Sequence, residues 1–334
     1  MHIRKLLARR TLAALLAGAA CLATGAARAD AVTERNARID DIVTAGNLPN
    51  HPATRAYAFA HTAIYEALNA ITRRYRTGAI ELAVSAGASP EAAAAAAARG
   101  ALLQTLPAQS SAIEAAYASA LAGLPDSPAR KAGIELGEGA AAAVLAQRRD
   151  DGASAPEQYR PHTTPGVYVP TALPLVPQWP RRKPWLMSSA SQFRPGPPPA
   201  LTSDTWARDF NEVKAYGSRS SALRTPEQTE IARFWEASGA PIYHRVARSV
   251  ADAPGRDLTR NARLFAALTQ AADDAYIAIF DASTTTTSGA RSRPSATPIS
   301  TATTPRSATR RGSPSSPRRC TPSTRVPTAS SPPR

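Results

Sequence analysis

Among the side chains that commonly do chemistry, His61 is the best placed to be used. It precedes Tyr65 by one helical turn and lies near Glu66. The commoner fate of a single histidine in an amphipathic helix is a hydrogen-bonded structural role, and that is the expectation here. His51, His162 and His244 are scattered singly, without the i, i+4 spacing or the acidic neighbours of a metal site. Asp273 and Asp274 could supply one buried carboxylate. Neighbours on a helix point apart, so at least one of the two is expected to be solvated. Gly137, Gly139 and Ala142 fit the G-x-G-x-x-A spacing of a dinucleotide loop, but they fall inside a helical pattern with no strand before it. Close helix packing through Gly133, Gly137 and Ala141 is the better account. These residues alone single out no catalytic, cofactor-binding or metal-binding residue.

The elements that must carry these side chains read as all-α. Between residues 54 and 71, Tyr57, Ala60, Ile64, Leu68 and Ile71 recur at three- and four-residue steps, the pattern of one helix face. Ser89-Pro90-Glu91 and Ser127-Pro128 are helix starts, each an N-cap followed by proline at the first helical position. Residues 153–203 hold 12 prolines in 51 positions, which forbids continuous helix and implies an extended connection over the surface. Its Trp179, Trp185 and Phe193 should pack against the helices. Trp206, Phe210 and Val213 share a face, and Thr225-Pro226-Glu227-Gln228 is a capping box leading into Ile231, Phe234 and Trp235. Two more helices follow, from Pro241 to about Ala251 and from Leu258 to Ala282. The last has Leu264, Leu268, Ala271, Ala275 and Ile279 on its apolar face.

After Ala282 the composition breaks. Residues 283–334 contain 12 Ser, 12 Thr, 9 Pro and 9 Arg, and no Asp, Glu, Lys, His, Asn, Gln, Leu, Met, Phe, Tyr or Trp. Such a segment cannot offset chain entropy with buried apolar surface and should be disordered. The formal charge of +15 also belongs to the ends. Residues 30–282 hold 26 basic against 25 acidic residues, so the body is near neutral and carries no case for a specific nucleic-acid partner. Residues 1–29 read as an export signal: Arg4, Lys5, Arg9 and Arg10, then an Ala/Leu run too short to span a bilayer, then Ala27-Arg28-Ala29 before Asp30. Export to the periplasm or medium is expected, and Arg9-Arg10 would also suit the twin-arginine route. Cys21 lies in the signal and Cys320 in the tail, which excludes disulfides and thiol chemistry from the body.

The order of segments in the body carries a resemblance. Ala58-Phe59-Ala60-His61-Thr62-Ala63-Ile64-Tyr65-Glu66-Ala67-Leu68-Asn69-Ala70-Ile71, Gln192-Phe193-Arg194-Pro195, Arg224-Thr225-Pro226-Glu227-Gln228-Thr229, Phe234-Trp235, and Asn261-Ala262-Arg263-Leu264-Phe265 leading to Phe280-Asp281-Ala282 resemble bacterial vanadium-dependent haloperoxidase-related proteins. That superfamily includes the type 2 phosphatidic acid phosphatases. The resemblance covers roughly residues 40 to 282 and implies a helical bundle. It also implies a bound vanadate, or phosphate in the phosphatase branch, held by a lysine, two arginines and an axial histidine, with peroxide and halide or a phosphomonoester as substrates. An oxyanion of that charge needs several fixed cationic donors.

In that family the Asp-Ala pair is followed by AKYxYxFWRPxTAIR and later by HPEYPCAHC or PSGH. Here the lysine position is Ser283, the first arginine position is Ala290, and the later histidine falls beyond Arg334. The genetic code offers a reason. A DNA string spelling KYHYNFWRP reads one base later as Ser-Thr-Thr-Thr-Thr-Ser-Gly-Ala, which is residues 283–290. A string spelling PTPMHPEYPCAHC reads one base later as residues 317–329. The expectation is a one-base slip near codon 282 that removes the catalytic helices, leaving the chain inactive, without bound vanadate, and with apolar helix faces that have lost their cover. Two other readings stand beside it: a phosphatase of the same superfamily, and a non-catalytic exported helical protein whose basic tail engages anionic polymers.

Overall fold

The computed structural model describes residues 30–289, apart from residues 79, 161–173 and 237–238, and gives no side-chain surroundings for 286–289. The expected export signal, His162, Ala290, Cys320 and the rest of the tail lie outside the described residues. Nine α-helices, and no strand, occur among those described. They are α1 (Ala31–Ala45), α2 (Asn50–Thr72), α3 (Pro90–Thr105), α4 (Ser110–Ala122), α5 (Pro128–Gln147), α6 (Asp204–Tyr216), α7 (Pro226–Glu236), α8 (Ala240–Ala251) and α9 (Leu258–Gly289). Single 3-10 turns occur at Pro107–Gln109 and Trp179–Arg181.

Local chemistry starts these helices where the sequence reading puts the starts. Ser89 accepts from the Ala92 amide and Ser127 from the Arg130 amide, each at 3.2 Å. Thr225 and Gln228 form the reciprocal capping box, with the Gln228 amide donating to Thr225 Oγ1 at 3.1 Å and the Thr225 amide to Gln228 Oε1 at 2.9 Å. Asp30, just after the expected cleavage point, caps α1 by accepting from the Val32 and Thr33 amides at 2.9 Å.

Helix α2 is the axis of the core, buried around nearly its whole circumference, with Tyr57, Phe59, Ile64 and Leu68 among its covered side chains. Against it lie α1, α3, α5 and α9. Helix α3 presents an almost unbroken run of buried alanines from Ala92 to Ala98, and small residues let backbones approach closely. Opposite, α5 supplies glycines. A Cβ at Gly133 would stand 2.5 Å from the Ser89 carbonyl oxygen, and one at Gly137 would stand 2.3 Å from that of Ala93. The Gly137 pattern is therefore a packing device, as its place inside a helix implied.

Two expectations are corrected. The buried stripe of α9 is Ala262, Phe265, Ala266, Thr269, Asp273 and Ile277; Ala271, Ala275 and Ile279, assigned to the apolar face from spacing, point to solvent. Leu264 and Leu268 are only half-buried at the edge of the core. The buried stripe includes a threonine and an aspartate, so a count of apolar residues finds the wrong phase. Within the Pro-rich connection, Trp179 is buried and Trp185 packs on the core, but Phe193 is exposed.

Helices α6 and α7 bury no residue at all. Phe210, Val213, Ile231, Phe234 and Trp235 are all more than half exposed, and so are Tyr243 and Val246 on the outer side of α8. Helix α9 continues past Ala282 to Gly289, seven residues beyond the composition break.

Candidate functional site

Of the titratable residues singled out from sequence, His61, His244, Asp273 and Asp274 fall into two buried networks. In the first, Asn36 and Asp40 of α1 meet His61 of α2 and His244 and Arg248 of α8. Arg248 has only donors to offer, so it fixes Asn36 with Oδ1 toward the guanidinium. That leaves Asn36 Nδ2 to donate to His61 Nε2, 3.1 Å away. The same ring stacks on Phe265 of α9 at a centroid distance of 5.2 Å. Burial, with the neighbouring His244 adding to it, pushes His61 down to about 3. The ring is therefore neutral, with its proton on Nδ1, and Nδ1 has no hydrogen-bond partner among the described residues. Tyr65 and Glu66 do not join it. Glu66 is half-buried, and burial raises its carboxyl to about 6.

His244 has the acidic neighbour that its own stretch of sequence lacks. Its Nδ1 donates to Asp40 Oδ1 at 2.7 Å, across 204 residues, and Arg248 donates to the other oxygen at 2.7 Å. Burial works against the Asp40 charge, but the bonds from His244 and Arg248 outweigh it and hold the carboxyl below its usual range. With both oxygens of Asp40 engaged and the rings covered, the cluster ties α1, α2, α8 and α9 together.

The second network joins the Pro-rich connection to α9. Arg182, fully buried, makes a forked bond to both oxygens of Asp273 at 2.6 and 2.7 Å and reaches Asp151 at 3.1 Å. Asp273 also accepts from the Trp185 indole at 2.8 Å, and Arg55 of α2 closes the far side of Asp151 at 2.8 Å. Asp274 is buried too. It accepts the amides of Trp185, Leu186 and Met187 at 2.7, 2.7 and 2.9 Å. Arg148 at the end of α5 takes the preceding backbone from the other direction, donating to the carbonyls of Lys183 and Pro184 and lying over the Trp185 ring at 4.0 Å.

The expectation that one of the two aspartates is solvated is therefore wrong, and the reason is geometric. Adjacent helical side chains diverge by about 100°, which lets one aspartate hold the Arg182 side chain while the other holds the backbone wrapped beside it. Three guanidinium groups and three carboxylates balance in charge. Removing one member of such a buried pair leaves an uncompensated charge and costs roughly 3–5 kcal/mol.

His51, the remaining described histidine, sits among rings at the start of α2. Phe280 and Tyr276 lie 5.0 and 5.3 Å away and Trp179 6.4 Å. Burial lowers its pKa. No group of His, Cys, Asp or Glu among the described residues could hold a metal ion.

The remaining place to test is the end of α9. Arg194 donates through Nε and Nη2 to the two oxygens of Asp281 at 2.7 and 2.8 Å, two residues before Ser283. An oxyanion such as vanadate needs convergent cations with donors to spare. Here Arg182 and Arg194 are spent on carboxylates, and Ser283 brings no charge to the position where the resemblance puts a lysine. The described residues do not fit the anion.

Comparison with protein-family models matches none, and comparison with curated proteins matches none. Comparison with solved structures finds the crystal structure of the first bacterial vanadium-dependent iodoperoxidase, at a TM-score of 0.66 and 19% identity, over 78% of this chain and 70% of that one. Among the described residues no helix is long and apolar enough to cross a membrane. The chain thus has the all-helical fold of a vanadium iodoperoxidase.

Proposed function

We propose that this chain is the scaffold part of an exported vanadium-haloperoxidase-type protein, and that by itself it neither binds vanadate nor oxidises halide. Peroxide and halide are the substrates that this reading gives to the intact relatives. The observation that carries it is the end of the last helix: Arg194 is already committed to both oxygens of Asp281, and the position two residues on, where the resemblance puts a lysine, is Ser283. The haloperoxidase branch is preferred to the phosphatase branch because the similar solved structure is an iodoperoxidase. A one-base slip near codon 282 supplies the cause, since both scrambled stretches, 283–290 and 317–329, decode to segments of the resembled family in the neighbouring frame.

Titration of vanadate into the full chain, followed by calorimetry, tests the loss of binding. The expected result is no heat beyond dilution at millimolar vanadate, and micromolar affinity would refute it. The gene tests the cause: the neighbouring frame is expected to spell Phe-Trp-Arg-Pro across the codons of residues 287 to 291, and any other spelling removes the slip.

A further inference from the structure

Between Arg182 and Arg194 the Pro-rich connection touches α9 at three carboxylates whose positions along the helix are not equivalent. Asp273 and Asp274 are neighbours that diverge around the axis, and they are held from two directions by Arg182, the Trp185 indole and the backbone of residues 185–187. Two grips at one height fix the rotation of the helix. Asp281 is seven residues beyond Asp274, so it lies on nearly the same face and about 10 Å further along the axis. The chain from Met187 to Arg194 covers that same interval, so the connection runs alongside the helix toward its C-terminal end. The two attachments differ in burial. Arg182 and Asp273 are completely enclosed, whereas the Arg194 side chain is 39% exposed against 11% for Asp281.

We infer that the connection is a latch with a permanent end at Arg182 and a releasable end at Arg194, and that Arg194 is a positioning residue for whatever follows Ala282. Resting on the functional reading above, that segment is the one which carries the anion-binding residues in the intact relatives. Arg194 sets its place by holding the last turns of α9 helical and in register. A guanidinium fork suits the task because it meets both oxygens of one carboxylate and so resists rotation, which a single ammonium contact does not.

Amide hydrogen exchange on the full-length chain reads the latch directly. Arg194→Gln is expected to speed exchange over residues 276–286 by about tenfold, leaving residues 260–272 unchanged. Arg194→Lys, which keeps the charge without the fork, is expected to recover about half of that protection on a logarithmic scale. The thermal midpoint of both variants should stay within about 2 °C of the parent, since the enclosed end is untouched. A glutamine variant that exchanges like the parent, a lysine variant no better than the glutamine one, or a rise spread along all of α9 with a lowered midpoint would each overturn the latch. Tight vanadate binding by the parent chain would overturn the functional reading and leave the exchange result standing.

Discussion

His61 carries its single proton on Nδ1 because Arg248 orients Asn36 and Asn36 donates to Nε2. A second proton would have to enter on Nε2, against that donor and beside a guanidinium. The folded state therefore refuses a proton that the unfolded chain accepts at about pH 6.5, and its own affinity falls to about 3. The sign follows: the unfolded state binds more protons between those values, so stability drops as pH falls below about 6.5. Between pH 7 and 5 this residue should remove about 2 kcal/mol. His61→Gln, whose amide oxygen can accept from Asn36 but never titrates, is expected to flatten that part of the profile in urea melts at the two pH values. An unchanged slope would mean that some other group governs it. The hydrogen bond that the sequence leads one to expect of His61 is present, but the ring's partners stand 25 and more residues away. Asp40 and His244 are 204 residues apart, and no local spacing relates them.

At the scale of elements, the contact between α3 and α5 shows what sequence spacing can reveal. Gly133, Gly137 and Ala141 fall on one helical face, and that alone points to close packing. The partner helix is what the spacing leaves out. Gly137→Ala must push α5 away from the Ala93 carbonyl, and overpacking of this kind costs roughly 1–3 kcal/mol in spite of the better helix propensity of alanine. Gly139, two positions on, has open space where its Cβ would go, so Gly139→Ala should stabilise by about 0.5–1 kcal/mol. Chemical denaturation of the two variants checks both signs, and equal effects would contradict this account of the interface. In α9 the same reasoning from spacing fails. Its buried stripe includes Thr269, whose hydroxyl donates to the Phe265 carbonyl one turn back, and Asp273, whose carboxylate is satisfied by Arg182 and Trp185 from a connection nearly 90 residues earlier. A buried aspartate is indistinguishable in sequence from a solvated one until its partner is known.

For the molecule as a whole, the helical class and the near-neutral body are legible from composition and period, while the unequal distribution of cover is not. The amphipathic patterns of α6, α7 and α8 are as clear as those of buried helices, since pattern records which face is apolar and says nothing of whether that face is met. An exposed apolar area of this extent is uncommon on a soluble monomer. A hydrophobic reporter dye should bind the native chain, and Phe234→Ser with Trp235→Ser should lower its fluorescence by about half while moving stability by no more than about 0.5 kcal/mol each. If dye binding survives both changes, the patch lies elsewhere. The described side-chain bonds that anchor α9 to other elements, from Thr259 with Thr72 to Asp281 with Arg194, reach back to residues synthesised earlier. A ribosome that has passed codon 281 has already delivered both partners of each of these described bonds. Under the proposed slip of reading frame beyond that point these bonds would all survive, and the cell would inherit an anchored body for its proteases to find by its exposed apolar side chains.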